Sequence, residues 1–159
     1  MKNQALERSL KAARGIDQNM LRYVLDQSRD CIKILGPSGE IEYINSHGRC
    51  ALEIEDFDAL KGKPWTDLWP EESRPVIARA VEQAQTGHGS EIEASRPDPR
   101  GEERWWRTSI SPLVEGDGEL VGILVISRDS AGHSSVQGFP SIAAKSVISS
   151  AHRPCELMY

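Results

Sequence analysis

The chain has no long apolar run. Its longest, "VGILVI" at Val121 to Ile126, falls far short of the ~18 residues a membrane-spanning helix needs, so no membrane partner is expected. Positive charge is also in deficit: 24 acidic residues against 19 Lys and Arg leave a net charge of -5. That balance argues against a general nucleic-acid or anionic-membrane surface. Cysteine is scarce, and Cys31, Cys50 and Cys155 are far apart and odd in number, which suits reduced thiols better than a disulfide frame. The opening "MKNQALERSLKAARG" has no continuous apolar stretch of the secretory kind, which makes the cytoplasm the expected compartment. There is no Gly-rich phosphate loop, no Cys or His cluster at metal spacing, and no nucleophile with an evident base. The sequence therefore offers no catalytic residue and no metal ligand, and reads as a non-enzyme. The carboxylates of "EIEDFD" and "PEES" read as a solvated loop and a helix start.

What is there divides into three parts within 159 residues, one domain with appendages. Residues 1–28 carry apolar positions at Leu6, Leu10, Ala13, Met20, Leu21, Val24 and Leu25. That spacing predicts an amphipathic helix, interrupted near Gly15 and restarted with Asp17 as a cap. Residues 29–129 alternate β-rich runs with turn formers and form the domain proper. Residues 130–159 are heavy in Ser, Ala and Gly without a sustained period and read as a disordered tail. Within the domain, "CIKILGPSGEIEYIN" is a hairpin signal. Asn45 is placed to cap the short helix "SHGRCALEI". Gly62, Pro64 and Pro70 break the next stretch into short turns of helix. "EESRPVIARAVEQAQTGHG" is the clearest helix, with Pro75 in its first turn and Gly87 as its stop. "SEIEASR", "ERWWRTSISPL" and "ELVGILVISRD" are three further strands, separated by "PDPRG" and "VEGDG". The order implies an α+β fold, an antiparallel sheet with helices on one side.

Two adjacent tryptophans pose the main question, because neighbouring side chains in a strand point to opposite faces. Alternation puts Trp106, Thr108 and Ile110 on one face, the better core face, and Trp105, Arg107, Ser109 and Ser111 on the other. In the last strand Val121, Ile123, Val125 and Ser127 alternate with Leu120, Gly122, Leu124, Ile126 and Arg128. Both of its faces are apolar, so both need cover. The helices supply one side. The N-terminal helix, through Leu6 and Leu10, or a second copy of the chain would supply the other, docking on Trp105, Leu120, Leu124 and Ile126. The competing reading leaves Trp105 half-exposed, stacked on Arg107. Arg96 shares parity with Ile92 and Ala94, and a solvated edge arginine is its expected role.

The succession "DCIKILGPSGEIEYIN", "LKGKPW", a helix, and "WWRTSISPLVEGDGELVGILVISRD" resembles a PAS sensory domain with its PAC portion, from about Asp30 to Asp129. The resemblance implies a five-stranded antiparallel sheet in the order β-β-α-α-α-α-β-β-β around a small cavity, with an N-terminal amphipathic helix. It further implies an input module of bacterial signal transduction, similar to those of sensor histidine kinases in two-component systems, acting as a homodimer or with a separate kinase or other output protein. Candidate cavity-lining residues are Trp65, Trp69, Trp106, Thr108, Ile110, Ile123, Val125 and Ser127. No cofactor is assigned. Flavin–thiol photochemistry is disfavoured, because "GKPWTDL" has Trp65 where the reactive cysteine of photosensory relatives would stand, and Cys50 reads as a packing residue. Haem is disfavoured because no histidine lies between Glu71 and Thr86. Noncovalent flavin against Trp65, Trp69 and Trp106 stays open beside rings that simply fill the core. Where such domains continue through an Ile-Thr pair into an output helix, Asp129 here precedes Ser130 and Ala131. That departure implies a free-standing module, or a truncated or frame-shifted gene that would leave a ligand-free dimerisation module.

Overall fold

Each element begins and ends where its local chemistry dictates. The computed structural model describes residues 18–130. Leu6, Leu10, the break near Gly15, the cap at Asp17 and the tail beyond Ser130 lie outside the described residues. Helix α1 (Gln18–Asp26) leads into β1 (Cys31–Leu35) and β2 (Ile41–Ile44), an antiparallel hairpin. Gly39 closes the turn at φ 90°, where an added Cβ would stand 2.9 Å from Val81, so only glycine fits without strain. Helix α2 (Ser46–Ala51) starts at Asn45, whose side chain accepts from the Gly48 amide. The expected run of helical turns through residue 70 reduces to one 3-10 turn, Trp65–Leu68, because Gly62, Pro64 and Pro70 leave no longer stretch of free amides. Helix α3 (Arg74–Gln85) carries Pro75 in its first turn and buries Ile77, Ala80, Val81 and Ala84, the stripe that a 3.6-residue period lays along one face.

The remaining strands, β3 (Ser90–Pro97), β4 (Glu103–Val114) and β5 (Leu120–Asp129), complete a five-stranded sheet ordered β2-β1-β5-β4-β3, with antiparallel pairing throughout. α2, the 3-10 turn and α3 share one face of it. Between them lies the core: Leu35, Ile41, Ile44, Trp65, Ile77, Ile110, Ile123 and Val125 are sealed from solvent. Each such aliphatic side chain contributes roughly 1.5–3 kcal/mol relative to an exposed one.

The opposite face is dressed differently. Trp105 is 40% exposed, and Leu120, Leu124 and Ile126 are half-buried. Arg107 beside it is held by Glu93 at 3.0 Å. The described part of the N-terminal helix does not provide the expected cover. No residue of α1 is buried, and Met20, Leu21, Tyr23 and Val24 are exposed. The helix is fastened at its C-terminal end and leaves the domain there. Cys50 corrects one expectation: it is exposed rather than packed. It sits on the solvent side of α2, whereas Cys31 is the buried free thiol.

Candidate functional site

Register brings one end of the inner sheet face together. Cys31 lies opposite Ser127, Ser127 opposite Thr108, and Ala94 opposite Trp106. By alternation Lys33 follows Cys31 and Arg96 follows Ala94 on that face. With Leu52, Leu68, Trp65 and Trp69 from the helical layer, Cys31, Lys33, Arg96, Trp106 and Ser127 line a cavity of about 10 Å³, room for one water-sized body. A second small space shares Leu52, Arg96 and Trp106 with it and reaches Asp98 and Arg104 at the β3–β4 turn. Arg96 thus stands between the cavity and the sheet edge.

The polar groups here are unevenly matched. Thr108 and Ser127 satisfy each other, hydroxyl to hydroxyl at 3.0 Å. Lys33 is 3% exposed and donates to the Cys31 sulphur at 2.9 Å. The buried Trp69 Nε1–H has no acceptor among the described residues. Burial pushes the Arg96 guanidinium below its usual value, opposed only by Cys31. No carboxylate lines the cavity.

Beside this end, one side chain ties the helix to the sheet. Asn45 is fully buried, and its amide oxygen accepts from the Ile32 and Gly48 amides at 2.9 and 3.0 Å. Its amide nitrogen donates to the carbonyls of Leu25 and Asp30, both at 2.9 Å. All four of its side-chain hydrogen-bonding positions are therefore used. Asp26, the last residue of α1, accepts from Tyr43 Oη at 3.0 Å and the Ser46 amide at 2.7 Å. Burial pushes the Asp26 carboxyl up, but the bonds from Ser46 and Tyr43 outweigh it and hold it below the ordinary carboxylate value. Burial, and then the bond to Asp26, push the Tyr43 phenol up to about 12. Arg128 at the end of β5 grips Asp30 through two bonds of 3.0 and 2.9 Å. The last turn of α1, the start of β1 and the end of β5 are thereby joined.

The residues singled out from the sequence fall into three groups. Trp65, Trp69, Trp106 and Ser127 line the cavity. Thr108, Ile110, Ile123 and Val125 are buried in the adjoining core. Trp105, Leu120, Leu124 and Ile126 lie on the other face. The rings largely fill the space: Trp65 and Trp69 meet edge to face with centroids 6.0 Å apart, and in this packing a flavin ring has no room. Arg96 is not a solvated edge residue; its inward parity carries it to the cavity. Sequence reasoning missed Lys33, although "CIKIL" places it on the same side as Cys31 and Leu35. It also saw only the cap in Asn45, because bonds to Leu25 and Asp30 depend on where α1 ends.

Comparison with known proteins agrees with this architecture. Residues 25–131 match the model of a family described as the PAS fold. No curated protein matches the chain. Among solved structures the chain is similar to the PAS domain of a protein from Colwellia psychrerythraea, with a TM-score of 0.60 and 18% identity over 70% of this chain and 94% of that one. It is similar to the PAS domain of an HTR-like protein from Haloarcula marismortui, with a TM-score of 0.56 and 16% identity over 81% and 99%. It also matches VqmA of Vibrio cholerae, with a TM-score of 0.59 and 13% identity over 71% of this chain and 51% of that one. At such identities the likeness shows the fold alone, and the chain spans about half of VqmA.

Proposed function

The chain belongs to the PAS fold family, and we propose that it is a sensor module of bacterial signal transduction in which the cavity biases the N-terminal helix. The observation that carries this is Asn45. One side chain holds the Ile32 amide, next to cavity-lining Cys31, and the Leu25 carbonyl in the last turn of α1. A shift of the β1 start on occupation of the cavity changes what Asn45 can hold, and the helix is released or tightened. The mechanism is a bias between two packings rather than chemistry on a substrate, so the chain itself is not an enzyme. The bias equals the ligand's difference in affinity for the two packings; tight binding alone shifts nothing.

The output in this reading is a second copy of the chain, or a separate kinase or other signalling protein in the cytoplasm, that meets the exposed Met20, Leu21, Tyr23 and Val24. VqmA has been solved in a ligand–DNA complex. That DNA belongs to the longer protein, and a net charge of -5 makes protein the proposed partner here. Hydrogen exchange of the α1 amides, with and without the small molecule that co-purifies, tests the relay. Equal protection in the two states refutes it.

A second reading is a ligand-free homodimerisation module. Its support is that Trp65, Trp69 and Trp106 leave room for only one water-sized body, while Trp105 and the α1 face stay exposed. Native mass spectrometry separates the two: a bound compound favours the sensor, an empty dimer the scaffold.

A further inference from the structure

We propose that the space between Lys33 and Arg96 is a site for one compact monoanion, of the size class of chloride. The proposal rests on reading the cavity as a ligand site and names the chemistry of its ligand. Lys33 is 3% exposed. Of the three donors on its ammonium only one is matched, by the Cys31 sulphur, a weak acceptor. Arg96, half-buried on the same face, makes no ion pair or hydrogen bond among the described residues, and its guanidinium stays charged. Trp69, at 5% exposure, adds an indole N–H without an acceptor among them. Two cationic residues and a neutral donor thus line one cavity, and none of its described lining residues is a carboxylate.

A buried charge without a partner is costly, and proteins meet that cost with a counter-charge held by several hydrogen bonds. Among the described residues none lining the cavity supplies the counter-charge, and the proposal takes it from solution. Size then selects it. A cavity of about 10 Å³ admits a body close to a water molecule, which excludes phosphate esters, dicarboxylates and nucleotides in this packing. One negative charge serves both cations, because Arg96 retains access to the second space toward Asp98 and Arg104. The tryptophans that line the site report directly on its occupation.

The full chain, exchanged into sodium gluconate, whose anion is too large to enter, is titrated with chloride at constant ionic strength. Melting temperature and tryptophan fluorescence are followed. A saturable rise in melting temperature with a parallel fluorescence change is expected for chloride and not for gluconate. Lys33→Met abolishes the response. Arg96→Gln weakens binding by about tenfold, the loss of one charge-assisted hydrogen bond. In gluconate alone Lys33→Met melts no lower than the parent, since it removes a lone buried charge and keeps the packing; this keeps the variant folded and informative. Equal responses to chloride and gluconate, or an unchanged response in Lys33→Met, overturns the site. So does a thiolate absorbance that Cys31→Ser removes in a chain that binds no anion, for Cys31 would then be the counter-charge. Amide exchange of α1 in the same samples separates this site from the relay. Saturation with unchanged α1 protection establishes the anion site and refutes the relay. Anion indifference with altered protection by another compound does the reverse.

Discussion

The two ends of one sheet face are built for different ends. Toward the β1–β2 turn, Leu35, Ile110, Ile123 and Val125 meet Ile77, Ala80, Val81 and Ala84 of α3, all of them buried. A few residues along the same strands, Leu35 gives way to Lys33 and Cys31, Val125 to Ser127, Ile110 to Thr108 and Trp106, and Ile92 to Arg96. The face, the strands and the alternation are unchanged; only the chemistry switches. Dry aliphatic packing at one end supplies cohesion that the other end can do without, so the second end is free to hold hydroxyls, cations and a small void.

The largest effect that could break this comparison is expected from the dry end. Ile123→Ala opens a cavity beneath α3 and should cost about 4 kcal/mol, within the usual range for burying a methyl-rich side chain and then deleting it. Urea unfolding followed by circular dichroism measures it. A cost near 1 kcal/mol would mean that the two ends share the load and that the division is false. Asn45→Ala should come next, at about 3 kcal/mol, because buried amides and carbonyls at Ile32, Gly48, Leu25 and Asp30 lose their partner together. Its signature differs from that of Ile123→Ala. Exchange should accelerate in α1 and the start of β1 while the paired amides of β4 and β5 keep their protection.

A smaller effect sharpens the boundary between the polar end and the helix. Tyr43→Phe removes one hydrogen bond to Asp26 and should cost about 1 kcal/mol at neutral pH. The pH dependence gives it a direction. The Tyr43 value in the folded chain, about 12, lies above the ordinary 10.0. Its contribution is therefore complete below pH 10 and lost as pH rises toward 12. Asp26 is held below its ordinary 3.8. Its contribution is present above that value and lost as pH falls through the lower folded one. Exchange of the last turn of α1 should thus quicken at both extremes. In Tyr43→Phe the alkaline arm should vanish and the acid arm remain; an alkaline arm that persists would place the transition elsewhere.

Legibility in the sequence followed the same divide. The strands, the Asn45 cap, Pro75 and Gly87 around α3, and the inward set Trp106, Thr108 and Ile110 were readable because turn chemistry and alternation act locally. The dry end was readable as well, since an aliphatic side chain on a core face has one role. The polar end was not. A lysine between isoleucines and an arginine on an edge strand are ordinary solvated groups until the register shows both facing Trp65 and Trp69. The described part of α1 does not lie over the sheet for a related reason: amphipathicity says that a helix has an apolar face, not where the chain directs it. That direction comes from Asn45 and Asp26, two short side chains whose partners are about 13 to 20 residues away.

The smallest effect concerns the two faces rather than the two ends, and adjacent residues supply the control. Trp106, 8% exposed, fills the cavity wall, whereas Trp105, 40% exposed, stands on the outer face opposite Ser95. Trp105→Thr keeps a strand former in place and should change the unfolding free energy of the monomer by no more than about 0.5 kcal/mol. If a second copy docks on this face, the same change removes an aromatic anchor of the kind that dominates interfaces. Sedimentation velocity should then show a shift from dimer to monomer at fixed concentration. A dimer that withstands Trp105→Thr but dissociates on Tyr23→Ser would assign the contact to the exposed side of α1, and the sheet's outer face would need another explanation for its bare tryptophan.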